Sequence, residues 1–247
     1  VIINQHHTQG KTRLRSQKRK RFNQAKHPVK FVIKAPDNRA MKGKSMRTIL
    51  FDLDGTLLPM DQKGFERAYF KSLCSALPEV EPKLLIQAIW SGTHAMAANS
   101  GKQTNREVFA EQFTKDGPLD FYQNEDRFTS YYQTTFQACA SACRISAVSR
   151  EIFETLQRKN YRIVIATNPI FPEIATYSRL RWLGIDPQQA ALITTYENSH
   201  FAKPNPSYFQ EILEQINEQA ENCRMFGNDA EEDGAAAKAG IPVSVML

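Results

Sequence analysis

Arg47-Thr-Ile-Leu-Phe-Asp-Leu-Asp-Gly-Thr-Leu-Leu-Pro59 is the stretch whose reading decides the fold. Ile49, Leu50 and Phe51 form a short apolar run, the length and character of a strand buried on both faces of a parallel sheet. Asp52 and Asp54 follow, and Gly55-Thr56 breaks the strand. Residues i and i+2 of a strand share a face, so both acids are expected to line one cavity at the strand's carboxyl end, where open α/β sheets bind ligands. Two like charges that close repel unless a cation or a shared proton offsets them. A polar turn after a strand uses the same Asp-Gly pair, and calcium loops contain Asp-x-Asp-Gly. The whole string Phe51 to Leu57 behind an apolar strand is far more specific.

The chain has 247 residues and is 41% hydrophobic, room for one large domain or for a core with an inserted module. No apolar run approaches the roughly 18 residues of a membrane span, and no secretory signal is visible. Cys74, Cys139, Cys143 and Cys223 are too few and too irregular for a disulfide framework, which favours reduced, buried thiols in a cytoplasmic protein. Cys139 and Cys143 could share a helix face, but with no neighbouring histidine they make a poor zinc site.

Net charge is +6, but it is unevenly spread. Residues 1–45 hold 13 Lys/Arg and one acid, Asp37, for +12, leaving the remainder at −6. That segment includes Lys18-Arg-Lys-Arg21 and has little periodicity, so much of it is expected to be disordered. It reads as a nucleic-acid-binding arm or, preferably, as a leader: the chain starts at Val1 and Met46 directly precedes the first core strand. Nucleic-acid binding through residues 1–45 is accordingly expected to be non-specific.

Beyond the first strand, residues 60–149 read as helical. Helices are expected over Gly64–Leu77, from Pro82, after the capping-box spacing Thr104-Asn-Arg-Glu107, and over about Asp120–Ala140. Phe121, Phe128, Tyr131, Tyr132 and Phe136 on the last read as bundle core rather than as a ligand box. Strands and helices then alternate: a helix after an N-cap at Ser149, strand 161–166, helix 171–183 closed by Gly184, strand 192–196, helix 207–220, strand 223–226, helix 233–239 and strand 243–247. Such alternation means right-handed crossovers and a parallel sheet. The chain stops at the end of a strand, so a short C-terminal piece is expected to be missing.

Asp52-Leu-Asp-Gly-Thr56 resembles the first motif of the haloacid-dehalogenase-like hydrolases, and three further strings resemble the others in order. Thr167-Asn168 resembles the second, a hydroxyl that bonds a phosphoryl oxygen. Lys203 resembles the third, a lysine balancing the anionic cluster. Gly227-Asn-Asp-Ala-Glu-Glu-Asp233 resembles the fourth, in which Asp229 ligates a metal directly and Asp233 directly or through a neighbour. The resemblance implies a Rossmann-like α/β core at 46–59 and 150–247, with an all-helical mobile cap at 60–149. It also implies Mg2+ held by Asp52, the Asp54 backbone carbonyl and Asp229. Asp52 becomes the nucleophile toward a small phosphorylated metabolite and Asp54 the acid and base, with Thr167, Asn168 and Lys203 holding the phosphoryl group. Cap residues His94 and Asn99 are candidates to face the substrate.

A dehalogenase of this kind needs neither metal nor a second acid, so Asp54 favours phosphoryl transfer. A phosphonatase would need a cap lysine, and nothing distinguishes Lys63, Lys71 or Lys83. A phosphomutase remains an alternative, as does a non-catalytic nucleic-acid-binding protein on a hydrolase core, whose only support is residues 1–45.

Overall fold

Thr48, Ile49, Leu50 and Phe51 are all buried, because the strand they form (β1, Thr48–Phe51) lies at the centre of a five-stranded parallel sheet. A computed structural model describes residues 47–246; the expectations for residues 1–45 lie outside them. The elements follow in the order β1, α1 (Gln62–Ala76), α2 (Pro82–Ala97), α3 (Asn105–Asp116), α4 (Glu125–Gln133), α5 (Ala147–Arg158), β2 (Arg162–Ile165), α6 (Glu173–Trp182), β3 (Leu192–Ile193), α7 (Pro206–Ile216), β4 (Cys223–Gly227) and β5 (Val243–Val245), with short 3-10 turns between some of them. The strand order is β3-β2-β1-β4-β5. The chain builds outward from β1 to β3, then crosses back to place β4 on the other side of β1, which creates a switch point between β1 and its neighbours.

Side chains alternate across the sheet as a period of two requires. Ile49 and Phe51 join Ile163 and Ile165 under Phe153 and Leu156 of α5 and Leu180 of α6. Leu50 and Val164 join Met225 on the opposite face, under Tyr208, Phe209 and Ile212 of α7. Helices on both faces explain the unbroken apolar run of β1.

Between β1 and α5 the chain is helical, with an aromatic cluster that runs on to Phe171 and Trp182 at α6. Phe65, Tyr69, Phe113, Phe121, Phe128, Tyr131, Tyr132 and Phe136 are all buried there, so the aromatics are core. The capping box at α3 forms as its spacing predicts: Glu107 N donates to Thr104 Oγ1 at 3.2 Å, and Thr104 N to Glu107 Oε2 at 2.8 Å. The expected single helix over 120–140 is instead α4 between two 3-10 turns, 122–124 and 135–142. Thr134 ends α4, its hydroxyl donating to Ser130 O at 2.7 Å, a back-bond that bends helices.

Two helix starts also differ. Ser149 lies inside α5, and its hydroxyl donates to Leu57 O at 2.5 Å, tying the helix to the loop after β1. Residues 234–239 form a 3-10 turn, which the Asp233 carboxylate, engaged elsewhere, does not cap.

The helical segment is bonded to the sheet domain at several points. The first N–H groups of α3, which no helix can satisfy internally, donate outward: Asn105 N to Ser199 O at 2.8 Å and Arg106 N to Tyr196 O at 2.7 Å. The buried Asn105 side chain donates to Pro169 O at 3.3 Å and Phe201 O at 3.1 Å. Gln137 bridges to α6, donating to Ser178 Oγ at 3.1 Å and accepting from Trp182 Nε1 at 2.7 Å. Among the described residues no helix is long and apolar enough to cross a membrane, and all four cysteines are free thiols.

Candidate active site

Asp52 leaves the carboxyl end of β1 between two neighbours whose register is fixed: Phe51 pairs with Ile165 of β2 and with Phe226 of β4. The residues just beyond each strand therefore gather around it. They are Thr167-Asn168 after β2 and Asn228-Asp229 after β4. Lys203 arrives from the loop between β3 and α7.

The centre of the site is a buried ammonium between two carboxylates. Lys203 Nζ lies 2.9 Å from Asp52 Oδ1 and 2.6 Å from Asp233 Oδ1. Burial alone would depress the lysine pKa, but Asp52 and Asp233 beside it raise it well above its ordinary value. Burial pushes the Asp52 carboxyl up, opposed by Lys203 and reinforced by Asp233 and Asp54. The second oxygen of Asp52 accepts from Thr56 Oγ1 at 2.9 Å, so both oxygens of the carboxylate are aimed.

Asp233 is anchored from behind. Its Oδ2 accepts from the N–H groups of Asn228 at 2.9 Å and Asp229 at 3.0 Å. This packing needs Gly227, where a Cβ would sit 2.0 Å from Asp233 Oδ2. Asp229 itself holds the acidic loop, accepting through Oδ1 from Glu231 N and Glu232 N, each at 2.8 Å. The loop after Asp52 folds on itself, with Leu58 N donating to Leu53 O at 2.8 Å and Gly55 N to Leu58 O at 2.9 Å. Gly55 has φ +90°, and a Cβ there would meet Asn228 Nδ2 at 2.6 Å; a larger residue would be strained on both counts.

Thr167 is buried, its carbonyl accepting from Thr194 Oγ1 at 2.7 Å and Tyr208 OH at 2.8 Å. Asn168 Oδ1 accepts from Lys203 N at 3.2 Å, tying the ends of β2 and the lysine loop together.

Asp54 does not share the surroundings of Asp52. β1 ends at Phe51, so both acids lie on the loop beyond it, and the same-face argument of an extended strand does not apply. The Asp54 Oδ2 is held by Arg179 Nη1 of α6, a residue outside all four motif strings. The two acids thus have separate cations. Arg179 is wholly buried, at i+4 from Ala175 on the buried face of α6. Thr56 and Asn228 are two further site residues, Thr56 Oγ1 lying 3.0 Å from Asn228 Oδ1.

The two candidate substrate-facing residues of the helical segment have different surroundings. Asn99 is structural: its Nδ2 donates to Asn105 Oδ1 and Gln103 O, both at 2.9 Å. His94 is exposed in the last turn of α2, its ring stacked on Trp90 at 6.0 Å between centroids.

The oxygen-only character of this cluster suits a hard divalent cation. Among the described residues no three His, Cys, Asp or Glu side chains converge as a ready-made cage. Mg2+ does not require one, since it binds through one or two carboxylates with waters and substrate phosphate completing the shell. The donors present fit that mode.

The haloacid dehalogenase-like hydrolase family model matches residues 46–240. The chain belongs to this family. It is 28% identical over 212 residues to the phosphoglycolate phosphatase of Colwellia psychrerythraea strain 34H, covering 84% of this chain and 86% of that protein. Its fold is similar to that of CbbY from Rhodobacter sphaeroides, solved in complex with phosphate, at TM-score 0.54 and 18% identity, over 82% of this chain and 87% of that one. It is also similar to the putative HAD-hydrolase YfnB from Bacillus subtilis bound to magnesium, at TM-score 0.51 and 23% identity, over 82% and 89% of the two chains. The chain is therefore an enzyme of the hydrolase class, built on a parallel sheet flanked by helices.

Proposed function

We propose that this hydrolase cleaves a small phosphomonoester through a phosphoryl group carried on Asp52. The observation that carries the reading is the assignment of two nearby carboxylates to different cations. Asp52 is aimed by Lys203 and Thr56, while Asp54 is held by Arg179. Two acids in separate environments suit separate tasks, one as nucleophile and one as proton donor and acceptor. The 28% identical phosphoglycolate phosphatase supports a phosphate ester as substrate. The second acid counts against dehalogenation, which does not need it.

Asp52 attacks phosphorus in line as the ester P–O bond breaks. The departing oxygen takes a proton from Asp54. Water then attacks the phosphoryl group and gives a proton to Asp54, and Asp52 leaves with its electron pair. Lys203, Thr167 and backbone N–H groups beyond Asp52 then stabilise the equatorial oxygens. Asp52, the Asp54 carbonyl and Asp229 would hold Mg2+, which supplies charge neutralisation between carboxylate and phosphate.

Residues 60–149 are the proposed cap over a core of 46–59 and 150–247, a reading supported by their run of helices between β1 and α5. The test is phosphate release from a panel of esters that includes 2-phosphoglycolate, with 2-haloacids run alongside. Release from one or more esters and none of halide supports the reading; halide release alone overturns it.

A further inference from the structure

Asp54 is the site acid whose surroundings the motif strings leave unexplained. One oxygen, Oδ2, is held by Arg179, while Oδ1 is buried with no hydrogen-bond partner. Arg179 has a side-chain exposure of 0%, which is rare for an arginine unless it is paired.

The guanidinium has little freedom to follow a moving partner. Its Nε points to Ala175 O at 3.4 Å, and its Nη2 donates to Thr176 Oγ1 at 3.0 Å. The Phe171 ring covers one face, 4.6 Å from Cζ to centroid, an arrangement that suits a delocalised cation. The helix that carries it is fixed as well. At the N-terminus of α6 the N–H of Glu173 donates to the Glu197 carboxylate, 3.0 Å from each oxygen. A planar fork held at this many points sets the direction of a carboxylate in a way a flexible lysine does not.

We propose that Arg179 is a positioning residue for Asp54, fixing through Oδ2 the direction of the carboxyl group that gives and takes the proton of the reaction. The inference rests on the phosphatase reading above. Oδ2 accepts from Arg179 in both protonation states of Asp54. In the acid form its proton passes to the ester oxygen as the P–O bond breaks. In the second step a water proton returns to Asp54 as the water oxygen bonds to phosphorus and Asp52 departs. Arg179 also gives Asp54 a cation of its own, which leaves Lys203 to Asp52 and Asp233.

General acid catalysis contributes about 10²–10⁴-fold, most where the leaving group is poor. The test compares Arg179→Met, Asp54→Asn and the double variant on an alkyl phosphate and on p-nitrophenyl phosphate, reading kcat and KM separately. Expected for Arg179→Met is a kcat loss larger on the alkyl ester than on the nitrophenyl ester by roughly 10- to 100-fold. KM should stay near wild type, and the double variant should be no slower than Asp54→Asn. Equal losses on the two esters, or additive losses in the double variant, overturn the inference while leaving Asp54 in place. A rise in KM at constant kcat also overturns it, making Arg179 a substrate-binding group. A leaving-group-independent Asp54→Asn instead sinks the roles assigned in the phosphatase reading. Should Arg179→Met not fold, Arg179→Lys is read by the same comparison. Lysine cannot reach Asp54 and Thr176 together, so a smaller loss with the same leaving-group bias is expected, and an unbiased result overturns the inference.

Discussion

Oδ1 of Asp52 lies 2.9 Å from Nζ of Lys203, and 151 residues separate the two in sequence. The ammonium is wholly buried and also bonds Asp233. Two carboxylates around one buried cation are stable only as a set. Lys203→Met should therefore cost about 3–5 kcal/mol, the range seen when one partner of a buried ion pair is removed. Denaturant unfolding checks this. Asp52→Asn combined with Lys203→Met should lose less than the sum of the single losses; additive losses would show that the pair is not coupled.

Asn105 makes an independent prediction about how the helical segment is held. Its side chain donates to Pro169 O and Phe201 O and accepts from Asn99. Asn105→Ala leaves buried carbonyls without a donor, at a cost of about 1–3 kcal/mol. It should also raise amide exchange in α3 and in the 195–201 loop. Unchanged protection in both places would remove Asn105 as the fastening point.

Much of the core was legible because β1 is covered on both faces. Burial there demands a continuous apolar run, and the run at Ile49–Phe51 stands directly before Asp52. The Thr104–Glu107 box was legible because capping is local. Thr134 was not, since helical aromatics continue past it and only the backbone at that residue turns. The strand ends were legible, and the loops beyond them bring Lys203 to Asp52 and Asp233. Arg179 was hidden, because an arginine within Tyr177-Ser-Arg-Leu-Arg-Trp182 resembles any helix-surface charge until the helix face is known. The bonding of Asn99 was not legible, because its partners are backbone and amide groups that only the folded loop brings close.

Stability should fall at alkaline pH through the thiols. Burial first, and Asp54 second, raises Cys143 from 9.0 to about 12, and burial raises Cys223 from 9.0 to about 11. A group whose folded pKa is raised contributes stability that is fully present below the unfolded value and is lost as pH rises through the folded one. The melting temperature should therefore decline between about pH 9 and pH 12. In Cys143→Ala the decline should be shallower than in the wild type. An equal slope in the two proteins would assign the loss to other groups.

Chelation tests the cation separately from the protein's own residues. Ester hydrolysis should vanish in excess EDTA and return with Mg2+, given oxygen donors at Asp52 and Asp229 and none of nitrogen or sulfur in that set. Full activity in EDTA would remove the metal from the account.

The central claim is that Asp52 carries the phosphoryl group. The direct measurement is acid quenching during turnover, followed by digestion and mass spectrometry of the peptide that contains Arg47 to Pro59. The account predicts the added mass of one phosphoryl group on Asp52, absent from Asp52→Asn, which should fold but not turn over. Turnover near the wild-type rate by folded Asp52→Asn, or a phosphoryl group found on another residue, would contradict it.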